Sequence, residues 1–151
     1  MLSVDELRRM RYAVLSDSKS MTFSRDMFFF CIYDRGISFT DLANIKKTDI
    51  KGFTLTYTSQ IPGLPLITIQ WDAAMREIAD RYASNSEFLV PFIKSADMQM
   101  VDREVKRVRE NVTRALKRIA TRYNLSVVPS MAMVKDIYQR AIDGVSVSKI
   151  I

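Results

Sequence analysis

With 151 residues, 48% apolar, 26% charged and only four Gly and four Pro, the chain has the make-up of one globular domain with a real core, which excludes disordered and fibrous classes. No apolar run approaches the roughly 20 residues of a membrane span; the longest is MFFFCIY, Met27 to Tyr33. One cysteine excludes an internal disulfide and fits a reducing cytoplasm, and the absence of histidine excludes Ser-His, Cys-His and His-metal chemistry.

The N-terminal MLSVDELRRM carries charge where a signal peptide is apolar. Ser3 followed by Glu6 forms a capping-box pattern, and Val4, Leu7, Met10 and Val14 fall on one face of the helix it opens. After the polar break Ser16–Met21, a second helix is predicted from about Thr22 to Tyr33. It is apolar on most sides and therefore buried, and Gly36 closes it with a left-handed cap. Ser38 or Thr40 caps a short third helix, FTDLANI, which stops near Lys46 and Lys47.

A β region follows. Lys51-Gly52 signals a turn, Phe53–Tyr57 alternates as a strand, Pro62-Gly63 turns the chain, and Leu66–Gln70 returns as the second strand of a hairpin. Asp72 caps a helix over 73–83 with Met75, Ile78, Ala79 and Tyr82 on its face, and SNSEFLVPFIKS is a connection with an apolar plug.

The clearest helix is Met98–Tyr123, with Val101, Val105, Val108, Val112, Leu116 and Ile119 in an apolar stripe. Arg103, Lys106, Arg107, Arg109, Arg114, Lys117, Arg118 and Arg122 lie outside it. That outer face reads equally as a solvated surface diluted by Asp102, Glu104 and Glu110, or as a phosphate contact. A last helix spans about Met131 to Ile142, then comes a turn at Gly144 and the start of another helix, Ser146–Ile151. The charge is uneven. Residues 1–75 carry nine Lys/Arg against eight Asp/Glu, and residues 76–151 carry 14 against nine, so the second half holds net +5. No phosphate-cradling GxxxxGK[ST] or GxGxxG loop occurs, and no cofactor is expected. The fold class is α+β, predominantly helical, with a small antiparallel hairpin near residues 53–70.

In this order the elements resemble the catalytic domain of tyrosine recombinases (phage-type integrases), in the branch found on mobile elements of Bacteroides-like bacteria. LSVDELRRMR, FSRDMFFFCIYDRGISFTDLANIKKTDI, the LTY…PGLPLITIQW hairpin and VKRVRENVTRALKRIATRYNLS carry the resemblance, which covers the whole of 1–151 as one integrase-like domain. The resemblance implies two arginines, a hairpin lysine and His or Trp donors around a pentavalent phosphate, with a tyrosine nucleophile and no metal.

Position by position, the first arginine falls on Ser38. Arg35, slightly earlier, either touches phosphate in its place or is a helix-end arginine paired with Asp34 or Asp41. The hairpin lysine falls on Ile61, which cannot donate a proton. The H-x-x-R stretch falls on Ala132, Met133, Val134 and Lys135, with Asp136 at the next histidine. Lysine keeps the charge there but loses the bidentate fork. Tyr138 matches an aromatic that packs the same helix. The family's L-G-H segment and nucleophilic tyrosine would follow Ile151, and its core-binding domain would precede Met1. The resemblance thus implies a decayed, DNA-binding recombinase fold without strand transfer, with relic positions Arg35, Ser38 and Lys135. The expected DNA contacts are Lys46, Lys47, Arg103, Arg107, Arg114 and Arg118. Duplex DNA, a second copy of the chain or a related recombinase are the partners expected, and no membrane. The competing expectation is a protein-interaction module that accepts a partner's helix at the unfinished C-terminal face.

Overall fold

A computed structural model describes residues 1–92 and 98–142; the expected turn at Gly144, the helix after it and the unfinished C-terminal face lie outside the described residues. The chain divides into two compact units, residues 1–37 with 107–151, and residues 38–106. The class is α+β, mostly helical with one three-stranded antiparallel sheet. Among the described residues no helix is long and apolar enough to cross a membrane.

In the first unit, α1 (Val4–Arg11) opens with the capping box the sequence predicts: Ser3 Oγ accepts from the Glu6 amide, and the Glu6 carboxylate accepts from the Ser3 amide. Leu7 and Met10 are buried, but Val4 and Val14 are 46% and 78% exposed. Val14 leaves the expected face because the helix stops at Arg11, whereas Val4 lies within the first turn and is exposed there. The cause is Arg25, whose buried guanidinium donates through Nη1 to the carbonyls of Met10 (3.2 Å), Arg11 (3.0 Å) and Ala13 (3.0 Å). Its Nε holds Asp26 Oδ1 at 2.8 Å, with both side chains almost fully buried. The last carbonyls of α1 thereby find donors away from water, as a helix end requires.

Helix α2 (Lys19–Tyr33) starts three residues before the predicted Thr22, since Ser18 rather than a residue of the apolar run is the N-cap and accepts from the Met21 amide. From Ser24 to Tyr33 it is buried on all sides, while Lys19 and Ser20 in its first turn are exposed. Phe28, Phe29 and Phe30 have no exposure, and each such side chain contributes on the order of 1.5–3 kcal/mol by leaving water. Burial pushes the Cys31 thiol well above its usual range, and the Asp34 charge adds to the shift, so this cysteine is a neutral core side chain. Within this unit α5 (Met98–Arg122, here from Arg107) buries Val112, Ala115, Leu116 and Ile119, and it ends with Asn124 at φ 50 in a left-handed cap. A short 3-10 turn over Met131–Met133 leads into α6 (Val134–Ile142).

In the second unit, Ser38 caps α3 (Phe39–Asn44) by accepting from the Asp41 amide at 3.1 Å; of the two predicted caps, Ser38 is the one used. The helix ends at Asn44, ahead of Lys46 and Lys47. A strand that the sequence reading missed, β1 (Ile50–Lys51), pairs antiparallel with β2 (Thr54–Thr58), which pairs with β3 (Leu66–Gln70), in the order β1-β2-β3. Leu55 faces Ile69 on the buried side, while Thr56 meets Thr68 on the other through their hydroxyls. Pro62-Gly63 is the predicted turn, with Gly63 at φ 83 and the Leu64 amide on the Ile61 carbonyl. Helix α4 (Ala73–Asp80), capped by Asp72, stops before the predicted residue 83, which leaves Tyr82 beyond its end and half-buried. The plug is real: Leu89, Val90 and Phe92 are buried, Leu89 N–H donates to Ile45, and Phe92 stacks on Phe39 at 5.1 Å.

Replacing Arg25 by Met is expected to lower stability by about 3–5 kcal/mol, the range for removing one member of a buried ion pair. Arg25→Lys should recover only part, because an ammonium lacks the fork that serves Asp26 and three carbonyls together; urea unfolding measures both.

Glu6 carries a second expectation. Its carboxylate accepts from the Ser126 amide (2.6 Å), the Ser126 hydroxyl (2.8 Å) and the Ser3 amide (3.1 Å). The Ser126 amide, first among these donors, lowers its pKa from 4.5 to about 2. A carboxylate lowered on folding stabilises above its unfolded value and loses that contribution as pH falls toward the folded one. The wild-type chain should therefore lose stability between pH 4.5 and 2 more steeply than Glu6→Gln, as read by thermal melts across that window.

Candidate nucleic-acid interface

The sequence-derived site residues divide between the two units. In the first, α2 ends at Tyr33 with Asp34 as its cap, and the Gly36 amide reaches back to Cys31 (2.8 Å) while the Arg35 amide reaches Ile32 (3.1 Å). This is a Schellman closure. Gly36 has the predicted positive φ, 78, but the left-handed residue directly after the cap is Arg35, at φ 57. An arginine there is strained by its Cβ, where Asn124 fills the equivalent place at the end of α5 more easily.

Gly36 is needed for a second reason. A Cβ built on it would lie 2.7 Å from the Lys135 Cα and 3.0 Å from its Cβ. The backbone after α2 therefore runs directly against the first turn of α6, and the two expected cations of this unit, Arg35 and Lys135, stand on segments in direct contact. Both are exposed, as are Ala132 and Asp136, while Tyr138 is half-buried. Arg35 is held at a positive φ in the turn that touches Lys135.

In the second unit, Ser38 is occupied as the cap of α3. Asp41, buried, does not return to the Ser38 amide; it accepts from the Ser59 hydroxyl (2.6 Å) and the Gln60 amide (2.7 Å). Ser59 Oγ in turn accepts from the Ile61 amide at 3.1 Å. The carboxylate of the S-F-x-D-L-A box thus ties α3 to the stretch that carries Ile61, which is itself 50% exposed at the turn. Sequence reasoning placed Ile61 on the hairpin but missed this tether, since Ser59 and Gln60 lie 18 and 19 residues away from Asp41.

Lys46 and Lys47 are exposed yet locally engaged. Lys46 Nζ lies 3.9 Å from Glu87 Oε2, and Lys47 Nζ donates to the Ser84 carbonyl. Arg103, in this unit, and Arg107, Arg114 and Arg118, in the first, are all exposed on α5. Arg122 is spoken for by Asp17, with two bonds of 3.0 Å. That pair lowers the Asp17 pKa and raises that of Arg122, in both cases chiefly through the hydrogen bonds between them. Among the described residues no three acidic or cysteine side chains converge as metal ligands would. The chain matches no protein-family model, no curated protein and no solved structure.

Adjacent substitutions in the α2 closure should have opposite signs. Gly36→Ala is expected to cost about 2–5 kcal/mol, from the positive φ and from overpacking against the α6 backbone. Arg35→Gly should leave stability unchanged or raise it by up to about 1 kcal/mol by relieving the left-handed position. Chemical denaturation of the two variants beside the wild type reads the contrast.

Proposed function

We propose that the chain is a DNA-binding protein of tyrosine-recombinase type that lacks strand-transfer chemistry. The observation that carries the reading is the contact of Gly36 with Lys135. The segment holding the first-arginine region meets the segment holding the second, as that family's phosphate site requires, although these segments are about a hundred residues apart in sequence. The order of helices and three-stranded sheet agrees with it. The tether from Asp41 to Ser59 and Gln60 also supports it, since it holds α3 to the stretch that carries Ile61, the position the resemblance matches to the family's lysine.

The chemistry left at those positions is binding chemistry. Lys135 and Arg35 are cations that attract a phosphodiester, but Ile61 has no proton to give a leaving hydroxyl, and Asp136 beside Lys135 weakens the local field. Affinity then comes mainly from counterion release and falls steeply with salt.

A salt titration with duplex and four-way-junction DNA tests this. Binding at low salt that weakens linearly in log[salt], and falls at least ten-fold in an Arg35→Glu, Lys135→Glu double variant, is the expected result. No binding even at low salt overturns the reading. With a nicked suicide substrate no covalent protein–DNA adduct should form, and an adduct would overturn the loss of chemistry.

A further inference from the structure

At the other end of α2, about 20 Å of helix away from Arg35, two more arginines stand in an unusual setting. Arg114 and Arg118 of α5 line a shallow open hollow of about 330 Å³ together with Ser20 and Asn111. Each guanidinium holds only a neutral acceptor: Arg114 donates to Asn111 Oδ1, and Arg118 to Ser20 Oγ at a long 3.4 Å. Among the described residues neither forms an ion pair, whereas Arg122, one turn further on, has a carboxylate gripped through two bonds. A second, wider hollow of about 500 Å³, lined by Lys117, Thr121 and Arg122, shares Arg118 with the first.

Like charges four residues apart on a helix repel. Arg114 and Arg118 therefore weaken the free protein, and Lys117 between them adds to the field. The opposite wall does nothing to compensate. Ser20 belongs to the first turn of α2, which contains no acidic residue and has Lys19 as its first residue. The positive end of a helix dipole normally attracts an acidic side chain, and the acid nearest in sequence, Asp17, is already bound by Arg122. The two guanidinia and the N-terminus of α2 thus converge on an open hollow; Glu110, one turn before Arg114 on α5, forms no ion pair with either arginine among the described residues.

We propose that this hollow binds a phosphate group, with the Arg114 and Arg118 guanidinia as its paired donors and the Ser20 hydroxyl as a third. Exchange of the weak neutral contacts for charge-assisted ones provides the driving force, and the planar fork of arginine suits a phosphate oxygen edge better than lysine would. The site is separate from the Arg35–Lys135 face and stands whether or not that face touches DNA. Inorganic phosphate and the backbone of a nucleic acid present the same oxyanion, and the experiment separates them.

Inorganic phosphate titrated into the full chain, followed by ¹H–¹⁵N NMR, should give saturable shifts at the Ser20 amide and at the Arg114 and Arg118 Nε–H groups. An Arg114→Gln, Arg118→Gln double variant should bind at least ten-fold more weakly. A Lys51→Gln, Arg76→Gln variant, which loses the same charge from the other unit, should stay within two-fold of the wild type. Because the first pair removes an exposed repulsion, that variant should melt no lower than the wild type, so loss of binding is not loss of fold. Phosphate binding that is equal in the two double variants, or shifts spread evenly over the surface, overturns the proposal. In a second arm, a duplex is titrated against salt. If the log–log slope shrinks by about 1–2 in the Arg114→Gln, Arg118→Gln variant, the phosphate belongs to the nucleic-acid backbone. An unchanged slope beside lost phosphate binding assigns the hollow to a free or small phosphate.

Discussion

One buried guanidinium organises the first unit. Arg25 sits in the most apolar helix of the chain, yet its Nη1 collects three carbonyls at the end of α1 and its Nε holds Asp26. Helix α1 has only eight residues, too few to persist alone in water, where helices below about 12–15 residues are marginal. It exists because both ends are closed by distant partners: Arg25 from α2 at one end, and Ser126, through Glu6, at the other. A charge at that depth is tolerable only with its hydrogen bonds filled. The same bonds therefore make the burial of α2 possible and decide where α1 ends.

The close approach of Gly36 to Lys135 is the second constraint, and the proposed function depends on it. The turn must carry no side chain toward α6, so glycine follows the strained Arg35 rather than the reverse, although the more favourable cap would have glycine first. Strain is accepted at Arg35 and contact is secured at Gly36. In the second unit a carboxylate does comparable work without strain, as Asp41 spends its two oxygens on the stretch ahead of the Pro62-Gly63 turn instead of completing its own capping box. In both units, then, a short polar or small residue at a helix end aligns a segment far away in sequence with the segment it follows.

The two anionic readings rest on opposite ends of α2. Around Arg35 and Lys135 two exposed cations stand on touching segments, with Asp136 next to Lys135 in the chain. Around Ser20 and Arg118 no ion pair forms among the described residues. Comparison of Arg122 with its neighbours makes the difference physical. The arginine with a carboxylate within reach is neutralised, and those with only neutral partners keep their field for an external anion.

Much of the local structure was legible in the order of residues. The Ser3–Glu6 box, the Ser38 and Asp72 caps, the Pro62-Gly63 turn, the burial of the Phe28–Phe30 helix and the stripe of α5 all follow from interactions within a few positions, where spacing alone decides the partner. The family reading stays a proposal, carried by motif spacing and supported by one long-range contact. What the order of residues left undecided was every feature with a remote partner. The end of α1 depends on Arg25, 14 residues beyond Arg11. The strand Ile50–Lys51 and the early start of α2 are different, since their partners Thr54, Leu55 and Met21 lie only three to five residues away and were legible in principle. Asp41 ignores its local amide for one nineteen residues away. Backbone propensity and capping are short-range and so belong to the sequence, whereas the pairing of buried charges and the approach of glycine to another helix depend on packing in three dimensions, and only the tertiary structure decided them.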